Sequence, residues 1–251
     1  MITFIAQIFR ISHKMKLKNI VITGLLSFFT LVTFAQQDPQ FSQNMYNRLY
    51  PNPGVAGANN AMCATLLGRQ QWVGFEGSPS TFLFSFHGPV SKLHGGLGLA
   101  VSQDQIGPLK TMNLKGSYAF RFPVYNGDIG IGVGLGMLNM NINNEWISIT
   151  DPSDDPTIPK GGISGTGFDL DFGVYYQDDK MYAGVSASHL SQGQFMNDEL
   201  AQNFNFRVKR HYFIMGGYSF PLNDQFELQP STFIKTDGFS TQFDLNALAV
   251  W

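Results

Sequence analysis

Five histidines, one cysteine and a few groups of carboxylates are the side chains of this 251-residue chain best suited to chemistry. His13, His87, His94, His189 and His211 are scattered, with no pair at metal-ligand spacing, and no Ser, His and Asp fall into a nucleophile motif. Cys63 stands alone, so a disulfide within the chain is excluded, and its apolar neighbours make it a small wall residue rather than a nucleophile. Asp151-Pro152-Ser153-Asp154-Asp155-Pro156 clusters carboxylates of the kind that hold Ca²⁺ through oxygen ligands. The EF-hand spacing and its closing Glu are missing and two prolines fix the backbone, so a solvated loop with Asx turns is expected there. No catalytic residue, cofactor or metal site follows from these residues, and an enzyme is not expected.

The elements that would carry them are strands. Charged residues make up only 14% of the chain, against roughly 25% in an average soluble protein, while aromatics also reach 14%. After residue 35 no apolar run approaches the roughly 20 residues of a spanning helix. The period is two instead. Phe82, Phe84 and Phe86 alternate with Leu83, Ser85 and His87; Ile129, Ile131, Val133, Leu135 and Met137 alternate with Gly130, Gly132, Gly134 and Gly136; Phe168, Leu170, Phe172 and Val174 alternate with Asp169, Asp171 and Gly173. About ten strands are visible, the first near 61–71 and the last near 241–251.

One face of these strands is apolar and aromatic. The other carries Lys115, Arg121, Asp169, Asp171, Glu227 and Asp244. Water would not tolerate the first face and a dry sandwich core would not tolerate the second. The pattern predicts an all-β fold, a transmembrane antiparallel up-and-down β-barrel. The interior charges either line a conducting channel or neutralise one another and plug the lumen. Plugging is preferred, because an unpaired buried charge is costly. The four glycines near 130–136 leave space that admits part of a partner or another piece of the same chain. Ile131, Val133 and Leu135 should face lipid, so Val133→Arg should be damaging, whereas Lys115→Gln is expected to be mild. The two longest connections, near Asn141–Ile163 and Leu190–Lys209, fall at one end, as the outer loops of such barrels do.

Three regions follow. Residues 1–35 form an export signal: Lys16 and Lys18, the apolar stretch Ile20 to Phe34, and Thr33-Phe34-Ala35 as a cleavage site. Residues 1–14 precede a conventional-looking start at Met15. Residues 36–60 are neither strand nor helix by pattern and are expected at the periplasmic mouth. Residues 61–251 form the barrel. Together the signal, the alternation and the aromatic content place the mature chain in the cell outer membrane. In the 36–60 segment, Asp38, Gln40, Gln43, Asn44 and Arg48 are polar and close together, with Phe41, Met45 and Tyr46 as anchors and Pro39, Pro51 and Pro53 restricting the chain. It serves either as a strap or as a docking surface in which Asp38, Gln40, Gln43 and Arg48 contact a partner. A net charge of −2 argues against a nucleic-acid partner.

Ordered motifs then resemble the PorP/SprF family of type IX secretion and gliding proteins of Bacteroidetes. Gln37-Asp38-Pro39-Gln40-Phe41-Ser42-Gln43 and Asn52-Pro53-Gly54-Val55-Ala56-Gly57 open the series. Arg69-Gln70-Gln71-Trp72-Val73-Gly74-Phe75-Glu76-Gly77, Asp104-Gln105-Ile106-Gly107-Pro108, Ser117-Tyr118-Ala119-Phe120-Arg121 and His189-Leu190 follow. Tyr50-Pro51 before Asn52 and Val55 depart from the usual pattern. The resemblance implies about fourteen strands in a complete member, so this chain looks C-terminally truncated or unusually short. It also implies an outer-membrane component that, through protein–protein contacts, supports secretion or surface attachment of a large adhesin. Its partners would be type IX secretion or gliding components of the periplasm and outer membrane, the adhesin, and outer-membrane lipid. The competing reading is a passive pore or fatty-acid-transporter-like channel.

Overall fold

The computed structural model describes residues 38–41, 43–143, 162–192 and 208–251. The expected export signal, the Asp151–Pro156 loop and most of the two longest connections lie outside the described residues. Eleven strands run in chain order: β1 (Cys63–Gln70), β2 (Ser80–Val90), β3 (Gly95–Ile106), β4 (Leu109–Val124), β5 (Gly127–Ile142), β6 (Ile163–Gln177), β7 (Met181–Ser188), β8 (His211–Tyr218), β9 (Phe220–Pro221), β10 (Glu227–Thr236) and β11 (Thr241–Val250). Each pairs antiparallel with its neighbour; β9 is a two-residue continuation of β8 against β10. This is the up-and-down meander that the alternation predicted. The sheet is open, since no pairing joins β1 to β11 among the described residues. No helix there is long and apolar enough to cross a membrane.

Strand pleating sorts the side chains as expected. On β5 the glycines at 130, 132 and 134 are buried while Ile131, Val133 and Leu135 are exposed. Ile129 to Met137 form an outward apolar row of roughly 27 Å along the strand, or about 20 Å of membrane depth at the usual tilt. On β6, Tyr176, Phe172, Leu170 and Phe168 stand opposite Ile129, Val133, Leu135 and Met137. Polarity changes just past this row, where Asn139 Nδ2 donates to Thr166 Oγ1 at 2.9 Å. Outward aromatics gather at the short-turn end, with Tyr125 fully exposed and Tyr218 beside Phe220. Such a surface suits lipid and not water.

The inward face is largely covered by the chain itself, with a cavity of about 340 Å³ left beside Arg48, Tyr182, Glu227 and Gln229. Residues 38–60 form no strand; they make 3₁₀ turns at Asn44–Tyr46 and Pro53–Val55 and pack against inward-facing residues of the wall. The segment begins near the ends of β1, β7 and β10 that lead into connections 71–79, 189–210 and 237–240. There Arg69 Nη1 donates to the Gln40 carbonyl and Lys235 Nζ to the Asp38 carbonyl. It ends at the opposite, short-turn end, where Asn59 Nδ2 donates to Cys63 Sγ and β1 begins. The space left by Gly130 and Gly132 is filled by this piece of the same chain, and that at Gly134 and Gly136 by Asp171 and Lys115 of the neighbouring strands. A Cβ on Gly132 would overlap the backbone of Pro53 and Gly54, and one on Gly96 would overlap Ala56 and Gly57.

Candidate functional site

Asn52 is the central fastener of this inner segment. Wholly buried, it caps the second 3₁₀ turn by accepting from Gly54 N at 2.9 Å. Its Nδ2 donates to the Val174 carbonyl at 3.1 Å and the Val185 carbonyl at 3.4 Å. Neighbouring contacts extend the clamp: Ser186 Oγ donates to Pro51 O at 2.6 Å, Arg121 Nη1 to Gly54 O at 3.3 Å, and Gly57 N to His87 Nδ1 at 3.2 Å. That last bond requires His87 Nδ1 to be unprotonated. Gly57 adopts φ of +75° beside Gly96, a close approach that excludes a side chain on either residue. Arg48 lies over the Tyr182 ring, 3.6 Å from its centroid, and donates to Tyr175 Oη at 3.1 Å.

Charged side chains collect in one buried network. Lys115 Nζ lies 2.7 Å from Asp171 Oδ2 and 3.4 Å from Asp169 Oδ2. His189, the residue after β7, places Nδ1 2.7 Å from Asp169 Oδ2 and Nε2 2.8 Å from Asp38 Oδ1. His211 follows, its Nδ1 3.8 Å from Asp38 Oδ2. Three wall strands and the inner segment therefore meet around one carboxylate. Burial alone would raise the Asp38 carboxyl, yet the His189 charge and hydrogen bond, helped by Lys235, hold it well below the usual carboxylate range. Burial would likewise lower His189, but the Asp38 carboxylate and the hydrogen bonds to Asp169 and Asp38 push it up to about 10. The His189–Asp38 pair is therefore a charged one. No nucleophile stands beside a base in this network.

Lys115 pairs with Asp169 and Asp171, and His189 shares Asp169, so mutual pairing is what this group of interior charges does. The other interior charges behave differently. Arg121 meets the inner segment, Asp244 Oδ2 accepts from Asn44 Nδ2 at 3.0 Å, and Glu227 Oε1 accepts from Gln229 Nε2 at 2.7 Å. Lys115 is buried against two carboxylates, so the expectation that Lys115→Gln is mild is revised: removal would leave Asp171 without its cation and Asp169 with His189 alone. The four docking candidates separate. Gln40 and Gln43 are exposed, whereas Asp38 and Arg48 are turned inward and tied to the wall. Residues 38–43 lie at the end that carries the long connections, opposite the short turns.

Sequence reasoning singled out Asp38 but missed its convergence with His189 and His211, since the three share no local spacing. Arg48 with its aromatic partners, and the clamp at Asn52, were also missed; Asn52-Pro53-Gly54 registered only as a turn. At the long-connection end Trp72, Val73 and Phe75 are 69–75% exposed on the link between β1 and β2. No curated protein matches the chain. A family model described as type IX secretion system membrane protein PorP/SprF matches residues 33–250.

Proposed function

Because the chain belongs to the type IX secretion system membrane protein PorP/SprF family, we propose that it acts in the outer membrane as an exported component of secretion and gliding machinery, supporting secretion or surface attachment of a cargo adhesin through protein–protein contacts. The observation that carries this reading is the occupation of much of the interior by the chain itself. Residues 38–60 occupy the inward face, clamped at Asn52 and neutralised around Lys115. A wall whose lumen holds its own chain is suited to presenting surfaces rather than to passing solutes. The proposed partner surface lies at the long-connection end, where the exposed Gln40 and Gln43 share that end with Trp72, Val73 and Phe75. Large apolar side chains of this kind anchor protein interfaces. Asp38 and Arg48 hold the segment in place beneath that surface. If the long connections face outward, as in other outer-membrane barrels, this end meets the secreted adhesin rather than the periplasm.

Two measurements test the reading. Trp72→Ala with Phe75→Ala, and separately Gln40→Ala with Gln43→Ala, should leave a heat-modifiable barrel in the membrane fraction while reducing adhesin at the cell surface. Normal adhesin display by both double variants would remove the proposed surface. Purified protein in planar bilayers should show no steady conductance. An ohmic trace would instead support the passive pore or fatty-acid-transporter-like channel.

A further inference from the structure

Asp38, His189 and His211 come from the inner segment, the end of β7 and the start of β8, and each offers one donor atom within 4.8 Å of the other two. We propose that these three side chains form a site for a divalent transition metal of the Zn²⁺ type, which staples the inner segment to the wall. Two imidazoles and a carboxylate are a donor set that Zn²⁺ accepts, with water as a fourth ligand. Donor atoms about 2.1 Å from a tetrahedral ion stand roughly 3.4 Å apart. Here His189 Nε2 is 2.8 Å from Asp38 Oδ1, and His211 Nδ1 is 3.8 Å from Asp38 Oδ2. Shifts of about half an ångström would therefore bring these pairs to ligand spacing.

The surroundings also fit. Asp169 Oδ2 sits 2.7 Å from His189 Nδ1, the outer carboxylate that commonly orients a metal-bound histidine and directs its other nitrogen to the ion. His211 is fully buried; its Nδ1, 3.1 Å from the Lys209 carbonyl, would give that bond up to the ion and carry its ring proton on Nε2, which has no hydrogen-bond partner among the described residues. Asp38, Asp169 and Asp171 outnumber Lys115 and Lys235 by one charge, so the cavity favours an added cation. To bind, His189 presents an unprotonated Nε2, any proton there leaving for solvent, and the ion takes its place between His189 and Asp38. Lys235 contributes no ligand; its Nζ donates to the Asp38 carbonyl at 2.7 Å and holds that residue in position.

The inference rests on this geometry and not on the secretion role. It is tested on untagged full-length protein in detergent, stripped with chelator and titrated with Zn²⁺ alone. Metal content after desalting should reach one ion per chain. His211→Gln and Asp38→Asn should each weaken binding at least tenfold while retaining heat-modifiable migration. Co²⁺ should produce the visible absorption of a nitrogen- and oxygen-ligated tetrahedral site. Three results would overturn the proposal: no zinc retained by the wild type, no Co²⁺ absorption from it, or wild-type affinity in folded His211→Gln. The first two are read on the unaltered protein, so a variant that fails to fold does not shelter the idea.

Discussion

Gly132→Ala is the sharpest probe of how the inner segment is seated. A Cβ there would overlap the backbone of Pro53 and Gly54, neither of which can rotate away as a side-chain tip would. A Cβ on Gly54 is a milder case: it would sit 2.9 Å from the Gly130 carbonyl oxygen and needs about half an ångström to reach ordinary contact. Gly116, on the outward face of β4, is the control, with its nearest neighbour 3.9 Å away. Overpacking of this kind costs about 1–3 kcal/mol, which shifts the balance between seated and released segment by about fivefold to 150-fold. Arg48 reports release, because trypsin can cleave after it only when it leaves Tyr175 and Tyr182. When opening and closing are fast, the cleavage rate follows the released population. Appearance of the peptide that begins at Leu49, followed by mass spectrometry on protein whose barrel still migrates in its unheated form, should accelerate most for Gly132→Ala. Gly54→Ala should be intermediate, and Gly116→Ala should match the wild type. Cleavage of Gly132→Ala at the wild-type rate would refute the packing argument.

Lys115→Gln should cost about 3–5 kcal/mol by leaving Asp171 without its cation, seen as a lower temperature for loss of the compact electrophoretic form; an unchanged temperature would mean water reaches the carboxylate. Val133→Arg, at an exposed position of the apolar row, should cost about 2–4 kcal/mol and deplete assembled protein in the membrane fraction, and full recovery would argue against lipid contact. Asn52→Asp should release the segment more readily than Asn52→Ala in the trypsin assay. The aspartate turns a carboxylate toward the Val174 and Val185 carbonyls, whereas alanine merely loses the bonds; equal rates would show that the amide is not the fastener.

The wall was legible because each strand has two environments, and alternation records both. Ile131 and Gly132 could be assigned to opposite faces from neighbouring letters alone. Asp169 and Asp171, two residues apart, had to share a face, and the cost of buried charge favoured neutralisation among the interior charges without naming Lys115 as their partner. The contents of the wall were another matter. Glycines on β5 signal room but do not name the occupant. Residues 36–60 have no period, so nothing local said whether they strap the mouth or enter it. Asp38 and His189 stand 151 positions apart, and only the meander of β6, β7 and β8 brings them and His211 together. The mild effect expected of Lys115→Gln is revised for the same reason: interior charge was legible, but its burial under the chain's own first residues was not.

The path of that segment has a consequence for assembly. It runs along the inward face from the long-connection end and leads into β1 at the other, held by strands from both the beginning and the end of the sheet. Asn44 reaches Asp244 and Asn246, partners 200 and 202 residues further along the chain. Residues at the start of the fold must therefore wait for its last strands, and contacts of such sequence separation form slowly. The wall folds around a mandrel made from its own beginning. A late, rate-limiting phase in refolding, in which trypsin protection at Arg48 appears together with ordering of β10 and β11 rather than before it, is the kinetic signature of that order.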